Sequence, residues 1–448
     1  MPQFIIYTPK ITPRIEYAMK VIFGVILGLE YVLTANESEY QQSTLFRINY
    51  GEESLSEEEV LLPLSGLLSE EGIREPAPEV VKNGAIPYFF ATKNKGVFPF
   101  DLPALVFYLV SRYEEYLPVA PDEYGRYIEK NSIAYRNGFL QRPLVDEWVL
   151  ELRKILQKEF PAADLPLPEY RFQPTYDVDF AWAYLNKGWL FWASFANDIR
   201  LRRWQLIRQR IGVKWGGVDD PFYFFDKYRE QHLAMNPRPK FFFEVGDFGK
   251  YDKNCPWNHP KMQELIQKTD ADFEVGIHPS FRSHTSIDRL KMEHQRLEKT
   301  LGHPVTQSRQ HFLKMSLPET YQRLISIGIT DDYTMGYAEE TGFRAGIARP
   351  YPWYDLSKEQ MTTLTIHPFQ VMDVTLKVLL NLNNEESYAR CYDLLEQTKK
   401  VGGTFVTLWH NSSFSPAHGW DAEWIAEYWK LLQAALVNSS KINLESSS

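Results

Sequence analysis

Strand-like and helix-like segments alternate after residue 168, and this alternation constrains the fold more than any other feature. Successive parallel strands need a crossover of about a dozen residues, so the order predicts a parallel sheet or barrel with helices outside it. We therefore predict an α/β fold whose main part is a distorted β/α barrel of about seven strands. The predicted strands are Arg171–Val178, Lys240–Val245, Asp272–Ile277, Val305–Ser308, Gly328–Thr330, Thr363–Ile366 and Thr404–Trp409.

The first 165 residues predict a smaller α/β unit. A helical pattern at Leu144–Phe160 is followed by Pro166 and Pro168, so we place the domain boundary there. The predicted domains are residues 1–165, of unknown role, and residues 166–438, while the serine-rich end 439–448 is expected to be frayed. The main strand and helix candidates of the first unit are Phe4–Tyr7, Thr44–Tyr50, Tyr17–Leu29 and Leu102–Tyr116, the last with Asp101 as its cap.

Composition limits the partners of this chain. The net charge of -9 over 448 residues predicts no bulk attraction to nucleic acid or to an anionic membrane. The two cysteines, Cys255 and Cys391, form neither a CxxC motif nor a disulfide framework. The first residues lack a signal-peptide pattern, and the apolar run Val21–Leu29 is too short to span a bilayer. We therefore expect a cytoplasmic protein.

A long insert, 181–231, separates the first two predicted strands of the barrel. Tryptophan and basic residues on one helix are typical of a helix that lies on a membrane surface. The same residues could instead pack over one face of the barrel or against a neighbouring domain. We expect this second arrangement, and hence no membrane contact, and keep the first as an alternative. The tryptophans of the insert are Trp182, Trp189, Trp192, Trp204 and Trp215.

Ionisable residues stand where most of the predicted strands end. The carboxyl ends of the strands in a β/α barrel meet at one face, which is where such barrels build their sites. Because an isolated buried charge is costly, this set predicts a shared solvated pocket or a metal site. Its members are Asp177, Asp179, Asp247, His278, Arg309, His311, Asp331, Asp332, His367 and His410.

Asp177 and Asp179 are the most informative pair of this set. Alternation along a strand places both side chains on the same face of the sheet. Two neighbouring carboxylates repel each other unless a cation or a proton lies between them. The pair therefore predicts one metal ligand and one general base.

Five motifs in a fixed order resemble the polysaccharide deacetylase (NodB-homology) family, over roughly residues 170–420. They are Thr175-Tyr176-Asp177-Val178-Asp179, Gly276-Ile277-His278-Pro279-Ser280, Ser308-Arg309-Gln310-His311, Asp332-Tyr333-Thr334-Met335-Gly336 with Gly342-Phe343-Arg344-Ala345-Gly346, and Leu408-Trp409-His410. More narrowly, Ser111-Arg112-Tyr113-Glu114-Glu115-Tyr116 is similar to the amino-terminal domain of an uncharacterised branch that is common in Bacteroidetes.

The resemblance implies metal-assisted removal of acetyl groups from an N-acetylated or O-acetylated sugar or glycan precursor. The implied cofactor is a divalent ion, expected to be zinc. We also expect a carboxylate such as Asp332 to raise the pKa of His410, since a general acid must stay protonated. The resemblance assigns Asp179 and His278 as metal ligands and Asp177 as the general base. It assigns His410 as the general acid and Arg309 as the arginine that orients the base.

The chain departs from the family in the second motif. The family has a second histidine four residues after the first, and here that position is Arg282. His284 lies six residues after His278 and could approach the site only from a loop. His311 shares a face with Arg309 if their strand continues, so we expect His311 as the third metal ligand and keep His284 as the alternative.

Three functions agree with these residues. The first is a metal-dependent deacetylase, the second is another carbon–nitrogen hydrolase that acts on a small amide, and the third is a catalytically silent carbohydrate-binding protein. The acids and histidines at the strand ends favour an enzyme, whereas Arg282 in the second motif favours the third function. Fold alone does not distinguish them, because one barrel supports many activities.

Overall fold

The computed structural model describes residues 2–75, 78–82 and 84–437. Within these ranges the chain forms two mainly parallel sheets with helices packed against them, which confirms the predicted α/β fold class. The end predicted to be frayed, 439–448, lies outside the described residues. No helix in these ranges is both long and apolar enough to cross a bilayer.

The first sheet has four parallel strands in the order β2-β1-β3-β4. β1 and β3 agree with predicted strands, whereas β2 and β4 are not among the predicted ones. The strands are β1 (Phe4–Tyr7), β2 (Tyr31–Thr34), β3 (Phe46–Gly51) and β4 (Glu59–Pro63).

The second sheet has nine strands, and six of them overlap predicted barrel strands. Its strands are β5 (Arg171–Val178), β6 (Lys240–Phe243), β7 (Glu274–Ile277), β8 (Gln307–Ser308), β9 (Asp331–Asp332), β10 (Tyr351–Asp355), β11 (Gln360–Ile366), β12 (Val371–Met372) and β13 (Thr404–His410). The strand predicted at Gly328–Thr330 instead lies directly after those residues, at Asp331–Asp332, and β10 and β12 are not among the predicted strands. The order is β10-β11-β9-β8-β7-β6-β5-β13-β12, and β10 pairs with β11 in antiparallel fashion. Strand pairing within the described ranges leaves β10 and β12 at the two edges, so these hydrogen bonds do not close the sheet into a ring.

Helices connect the strands and cover both sheets. The α-helices are α1 (Pro13–Met19), α2 (Glu37–Gln42), α3 (Leu102–Val110), α4 (Ile133–Arg136), α5 (Leu144–Glu159), α6 (Trp189–Arg200), α7 (Trp204–Trp215), α8 (Phe225–Leu233), α9 (Pro260–Asp272), α10 (Ile287–Leu301), α11 (Glu319–Ser326), α12 (Asn384–Lys400) and α13 (Ala422–Leu436). Lys20–Ile26 and Thr375–Leu379 are π-helical. Short 3₁₀ helices occupy Leu67–Ser69, Tyr113–Tyr116, Glu129–Asn131, Ser283–Thr285, His311–Leu313, Asn411–Phe414 and Pro416–His418.

The predicted helix Leu102–Tyr116 is shorter in the structure. Asp101 caps α3 as expected, because its Oδ1 accepts the backbone N–H of Ala104 over 2.9 Å. The α-helix ends at Val110, and Arg112 adopts a left-handed backbone conformation with φ 57°. This turn separates α3 from the following 3₁₀ helix. It also leads the chain into a buried contact between the unit that contains the first sheet and the unit that contains the second.

A buried charge network forms that contact. Arg344, in the loop between β9 and β10, donates to both oxygens of Glu115 over 2.8 and 2.6 Å. Arg112 donates to Glu115 over 2.7 Å and also to the backbone carbonyl of Arg344. Burial raises the pKa of Glu115, but the charges of Arg344 and Arg112 outweigh this effect and lower it. Two motifs that are far apart in the sequence therefore contact each other through ion pairs.

The backbone approaches closely at the same contact. Gly342 has φ 126°, and a Cβ atom there would lie 2.4 Å from the carbonyl oxygen of Leu140. The fully buried Asp146 of α5 accepts hydrogen bonds from Arg349 over 2.6 Å and from the N–H of Ala348 over 2.8 Å. Only glycine fits at position 342, and the loop that follows it is held by the first unit.

We expect Glu115→Ala to lower the free energy of unfolding by about 3–5 kcal/mol, because it leaves buried guanidinium groups without their carboxylate. Glu70→Ala is the matched control, since Glu70 pairs with an arginine whose side chain is 68% exposed. That change should cost no more than about 1 kcal/mol. Chemical denaturation of the three proteins measures both values, and equal losses would contradict the proposed importance of the buried network.

Candidate active and metal site

The strand ends of the second sheet bring six of the predicted site residues together. Parallel strands align their carboxyl ends, and the register places His410 of β13 directly beside Asp177 of β5. These side chains line one cavity of about 310 Å³, except that Arg309 lies buried behind it. The six residues are Asp177 and Asp179 at β5, His278 at β7, Arg309 and His311 after β8, and His410 at β13.

Three of these residues are spaced like the ligands of a metal ion. Asp179, His278 and His311 offer ligand atoms that all lie within 4.8 Å of one another. Nε2 of His278 lies 3.1 Å from Oδ1 of Asp179, and Nε2 of His311 lies 3.6 Å from Oδ2. Two ligand atoms on a tetrahedral ion with bonds of ~2.0–2.1 Å are about 3.3 Å apart. One carboxylate and two imidazoles therefore fit a divalent ion such as zinc.

Hydrogen bonds on the far side of each imidazole support this interpretation. Nδ1 of His278 lies 2.6 Å from the carbonyl oxygen of Arg309, and Nδ1 of His311 lies 3.0 Å from Oδ1 of Asp252. A carbonyl oxygen only accepts, so Nδ1 of His278 carries a proton and Nε2 is the ring nitrogen that faces Asp179. Carboxylate or carbonyl partners of this kind are usual behind histidines that bind metal.

The charge of Asp179 needs a cation. Its Oδ1 is buried and accepts no hydrogen bond in the described part of the chain. A lone pair and a carboxylate at 3.1 Å repel each other unless a proton or a metal ion lies between them. Burial lowers the pKa of His311, but Asp179, Asp252 and Glu244 outweigh this and raise it to about 10. Binding of a metal ion would therefore displace a proton from this site.

Arg309 holds Asp177 from behind the cavity. Its Nη1 donates to Oδ1 of Asp177 over 2.9 Å, and its Nε donates to the carbonyl oxygen of Tyr333 over 2.9 Å. The guanidinium also lies over the ring of Phe242, 4.7 Å from the centroid. Oδ2 of Asp177 lies 3.7 Å from Nε2 of His278. One oxygen of Asp177 is thus fixed, while the other lies beside the ligand atoms and can accept a proton.

The carboxylate beside His410 is Asp373, not Asp332. Oδ1 of Asp373 lies 2.8 Å from Nδ1 of His410, and Oδ2 accepts the backbone N–H of His410 over 2.7 Å. Burial lowers the pKa of His410, but Asp373 and the two acids of β5 outweigh it and raise it to about 10. Asp332 instead accepts the hydroxyls of Ser308 and Thr334, on a strand remote from β13 in the sheet order. The expected partnership of Asp332 with His410 is therefore corrected.

Other strand-end residues lie outside this group. His284, the alternative third ligand, is 3.4 Å from the hydroxyl of Ser316, and burial lowers its pKa to about 4. His367 bonds to Asp331 over 2.7 Å and stacks on Tyr333. Asp247 pairs with an arginine of α10 over 2.8 Å. Of the two candidates for the third ligand, the structure brings His311 to Asp179.

The first unit supplies part of the cavity wall, although no chemistry is expected from its sequence. Glu123, Tyr124 and Arg126 line the cavity together with Phe312. The rings of Tyr124 and Phe312 are 5.4 Å apart, and Arg126 donates to the carbonyl oxygen of Phe312 over 3.2 Å. Phe312 and Leu313 both have left-handed backbones, with φ 61° and 51°. Strained conformations of this type are concentrated at functional sites.

Three contributors to the site are absent from the sequence-based prediction. Asp252 lies in a loop with no periodic pattern, and Tyr124 lies in the other predicted domain. Asp373 follows β12, a strand of two residues that is too short to be recognised. The signal that could have found Asp373 is local, because the pair Val371-Met372 followed by an acid repeats the apolar-then-ionisable order of the other strand ends.

Comparisons with known proteins relate different parts of the chain to different groups. A family of unknown function, DUF7033, matches residues 4–161. No curated protein matches the chain. The match to DUF7033 covers the first sheet, α3 and α5, and it ends before the strands that carry the cavity.

Three solved structures illustrate what the second part of the chain is similar to. A candidate polysaccharide deacetylase from Mycobacterium smegmatis is 14% identical over 62% of this chain and 87% of its own, with a TM-score of 0.39. The PuuE allantoinase is 8% identical, the match covers 62% of this chain and 89% of the allantoinase, and the TM-score is 0.35. A CE4-family pseudoenzyme from Bacillus anthracis is 12% identical, the match covers 60% of this chain and 62% of the pseudoenzyme, and the TM-score is 0.27. The function has to be argued from the residues of the site.

We expect Asp179→Ala to abolish binding of a divalent ion, because it removes the only carboxylate of the three-residue group and leaves two imidazoles as ligands. His303→Ala is the control, since His303 is 49% exposed and pairs with Asp270 away from the cavity. Elemental analysis and zinc titration of purified wild type and both variants measure binding. Equal metal content in wild type and Asp179→Ala would refute this assignment.

Proposed function

We propose that the protein is a metal-dependent hydrolase that removes acetyl groups from an N-acetylated or O-acetylated sugar or glycan precursor. The observation that carries the proposal is the arrangement of Asp179, His278 and His311, whose ligand atoms surround one point beside Asp177 and His410. We further propose that the chain is a divergent polysaccharide deacetylase of the NodB-homology family, in the branch with an added amino-terminal domain.

The proposed ligands of the ion are Asp179, His278 and His311, and the proposed ion is zinc. Three protein ligands leave a fourth position of a tetrahedral ion open, as catalytic zinc sites do. When bound, such an ion polarises a carbonyl group and lowers the pKa of water from about 15.7 toward ~7. The altered second motif is compatible with this set, because His311 supplies the second imidazole that Arg282 cannot.

Two residues of the chain would move protons. Asp177 would accept a proton from the attacking water on its free Oδ2, while Arg309 holds and orients the carboxylate through Oδ1. His410, kept protonated by Asp373, would donate a proton to the leaving nitrogen or oxygen. Water is consumed, the acyl bond breaks, and acetate and a free amine or hydroxyl are formed. A carboxylate base and a protonated histidine side by side suit this reaction.

The cavity fits a substrate of limited size. A volume of about 310 Å³ lies at the lower end of the range of small-molecule sites and suits one sugar ring better than a long polymer. Tyr124 and Phe312 offer aromatic faces on which a sugar ring can pack. We propose that residues 1–165 form a unit that completes the substrate wall, while residues 166–438 carry the chemistry.

The proposed compartment is the cytoplasm, where the free thiols of Cys255 and Cys391 would stay reduced.

The other two functions make different demands on the same residues. A hydrolase of another small amide would need the same ion, base and acid and would differ only in the cavity wall. A silent carbohydrate-binding protein would need neither the ion nor the base nor the acid, and its sugar binding would survive the loss of Asp177 or His410. Substrate panels and proton-transfer variants therefore separate the three functions.

Acetate release from a panel of N-acetylated and O-acetylated sugars tests the main proposal. We expect Asp177→Asn and His410→Ala each to lower turnover by about 10²–10⁴-fold, because each removes one proton-transfer group. His410→Ala should retain the metal ion. His367→Ala is the matched control and should leave turnover within about threefold, since His367 bonds to Asp331 outside the cavity. Turnover that survives both substitutions would reject this mechanism, and sugar binding without turnover in wild type would favour the silent protein.

The pH dependence of turnover should report the His410–Asp373 pair. His410 acts as an acid, so turnover falls as the pH rises through its pKa, which the folded structure raises to about 10. Asp373→Asn removes the nearest negative charge and should move this falling limb to lower pH by about 1–3 units. Asp331→Asn, which changes the similar pair with His367, should leave the limb in place. An unmoved limb in Asp373→Asn would show that another group sets it.

Tyr124→Ala should test the substrate wall. We expect KM to rise about two- to tenfold with kcat nearly unchanged, because the ring packs against the substrate and touches none of the proton-transfer groups. Tyr135→Ala is the control, since Tyr135 is 39% exposed on α4 of the same unit. A KM that is unchanged for every accepted sugar would show that the first unit does not contact the substrate.

A further inference from the structure

The insert between β5 and β6 forms a helical hairpin of α6 and α7, called the Trp hairpin here (residues 189–215). Its inner side is packed, since Phe191 and Val213 form a small buried cluster with Tyr184. Asp198 and Arg210 form a buried ion pair of 2.7 Å between the two helices. The two helices of the hairpin are thus stabilised by their own buried contacts, and the exposed side chains are not needed to hold them together.

The outer side of the Trp hairpin carries two apolar stripes. On α6, Trp189, Trp192 and Ile199 follow one another at helical spacing and are 71%, 55% and 47% exposed. On α7 the stripe consists of Trp204, Ile211 and Trp215, which are 60%, 43% and 59% exposed. The rings of Trp192 and Trp215 lie 6.0 Å apart, so the stripes meet at one end. Contiguous exposed tryptophan of this extent marks an interaction surface.

Positive charge surrounds these stripes. Residues 187–217 contain seven lysines and arginines but a single acid, Asp198, which is buried against Arg210. The exposed cations are Arg200, Arg202, Arg203, Arg208 and Lys214. The whole chain has a net charge of -9, so this hairpin differs from the rest of the surface in sign. Its partner should be both anionic and able to receive indole rings.

We propose that the Trp hairpin binds the surface of a membrane that contains anionic phospholipid. Tryptophan side chains prefer the headgroup region of a bilayer, and lysine and arginine are attracted to anionic headgroups. Each helix has 12 residues, about 18 Å, which is too short to span a bilayer but suited to lying in its plane. The net charge of the chain predicts no bulk attraction to such a membrane, so attachment is local and oriented by this hairpin.

A second copy of the chain fits this surface less well. A two-fold contact through the Trp hairpin would place the same basic residues of both copies against each other. Like charges facing each other across an interface are unfavourable. An anionic bilayer offers the opposite charge along both helices at once. This proposal does not depend on the hydrolase activity, because no residue of the Trp hairpin belongs to the metal or proton-transfer group.

The test is co-sedimentation of the full chain with vesicles. We expect binding to phosphatidylcholine vesicles that contain about one-third phosphatidylglycerol, little binding to pure phosphatidylcholine, and weaker binding as salt increases. The triple variant Arg200→Gln, Arg202→Gln, Arg208→Gln should bind about one hundredfold more weakly, roughly fivefold for each arginine. Trp189→Ser with Trp204→Ser should bind about tenfold more weakly, because two indole rings no longer enter the headgroup layer.

Matched controls separate a local surface from total charge. Lys154→Gln, Lys261→Gln and Lys430→Gln together change the net charge by the same amount at side chains that are 56%, 61% and 57% exposed. This variant should bind anionic vesicles like the wild type. Circular dichroism and metal content should be unchanged in all variants, which shows that the fold persists.

Three results would overturn the proposal. The first is a wild type that does not bind anionic vesicles at low salt. The second is an equal loss of binding in the lysine control and the arginine variant, which would mean that net charge alone acts. The third is a dimer in light scattering that the tryptophan variant abolishes while vesicle binding is unaffected, which would make a second copy of the chain the occupant.

Discussion

The carboxylate of Asp179, which faces the Nε2 atoms of two imidazoles, determines the character of this site. Asp179 meets Nε2 of His278 at 3.1 Å, while Nδ1 of that ring is tied to a backbone carbonyl. The carbonyl prevents the ring from turning its N–H toward the acid, so only an added cation or proton relieves the repulsion. The surrounding residues fix these groups in place, because Asp252 bonds to the second imidazole and Arg309 holds one oxygen of Asp177.

The parallel sheet makes this concentration of charge possible. Its strands end at one edge, so residues from β5, β7, β8 and β13 meet there although they are far apart in the chain. Helices enclose the sheet and leave that edge as the place where polar groups can converge. The first unit then closes one side of the cavity with Tyr124 and Arg126. The proposed metal and proton-transfer residues therefore belong to one unit, whereas both units line the cavity.

Buried ion pairs hold the two units in this relation. Arg112, Glu115 and Arg344 are each at most 3% exposed at the side chain, so each depends on the others for its charge to be tolerated. Gly342 allows the backbone to approach Leu140, which brings the loop after β9 against the first unit. The Trp hairpin is different, because its core is local and its outer face is left to solvent. The contact between the units is thus closed by buried ion pairs, whereas the exposed face of the Trp hairpin is available for the proposed partner.

The sequence by itself determined the parts of this protein that local pattern encodes. Each of Asp177, Asp179, His278, Arg309 and His410 ends an apolar strand, and strand ends in a parallel sheet share an edge, so their meeting follows from periodicity and topology alone. Tertiary structure placed His311 rather than His284 beside Asp179, placed Asp373 rather than Asp332 beside His410, and brought Tyr124 to the cavity. These three placements depend on loop paths, on the two-residue strand β12 and on packing between units. Such long-range contacts cannot be predicted from a periodic pattern of side chains.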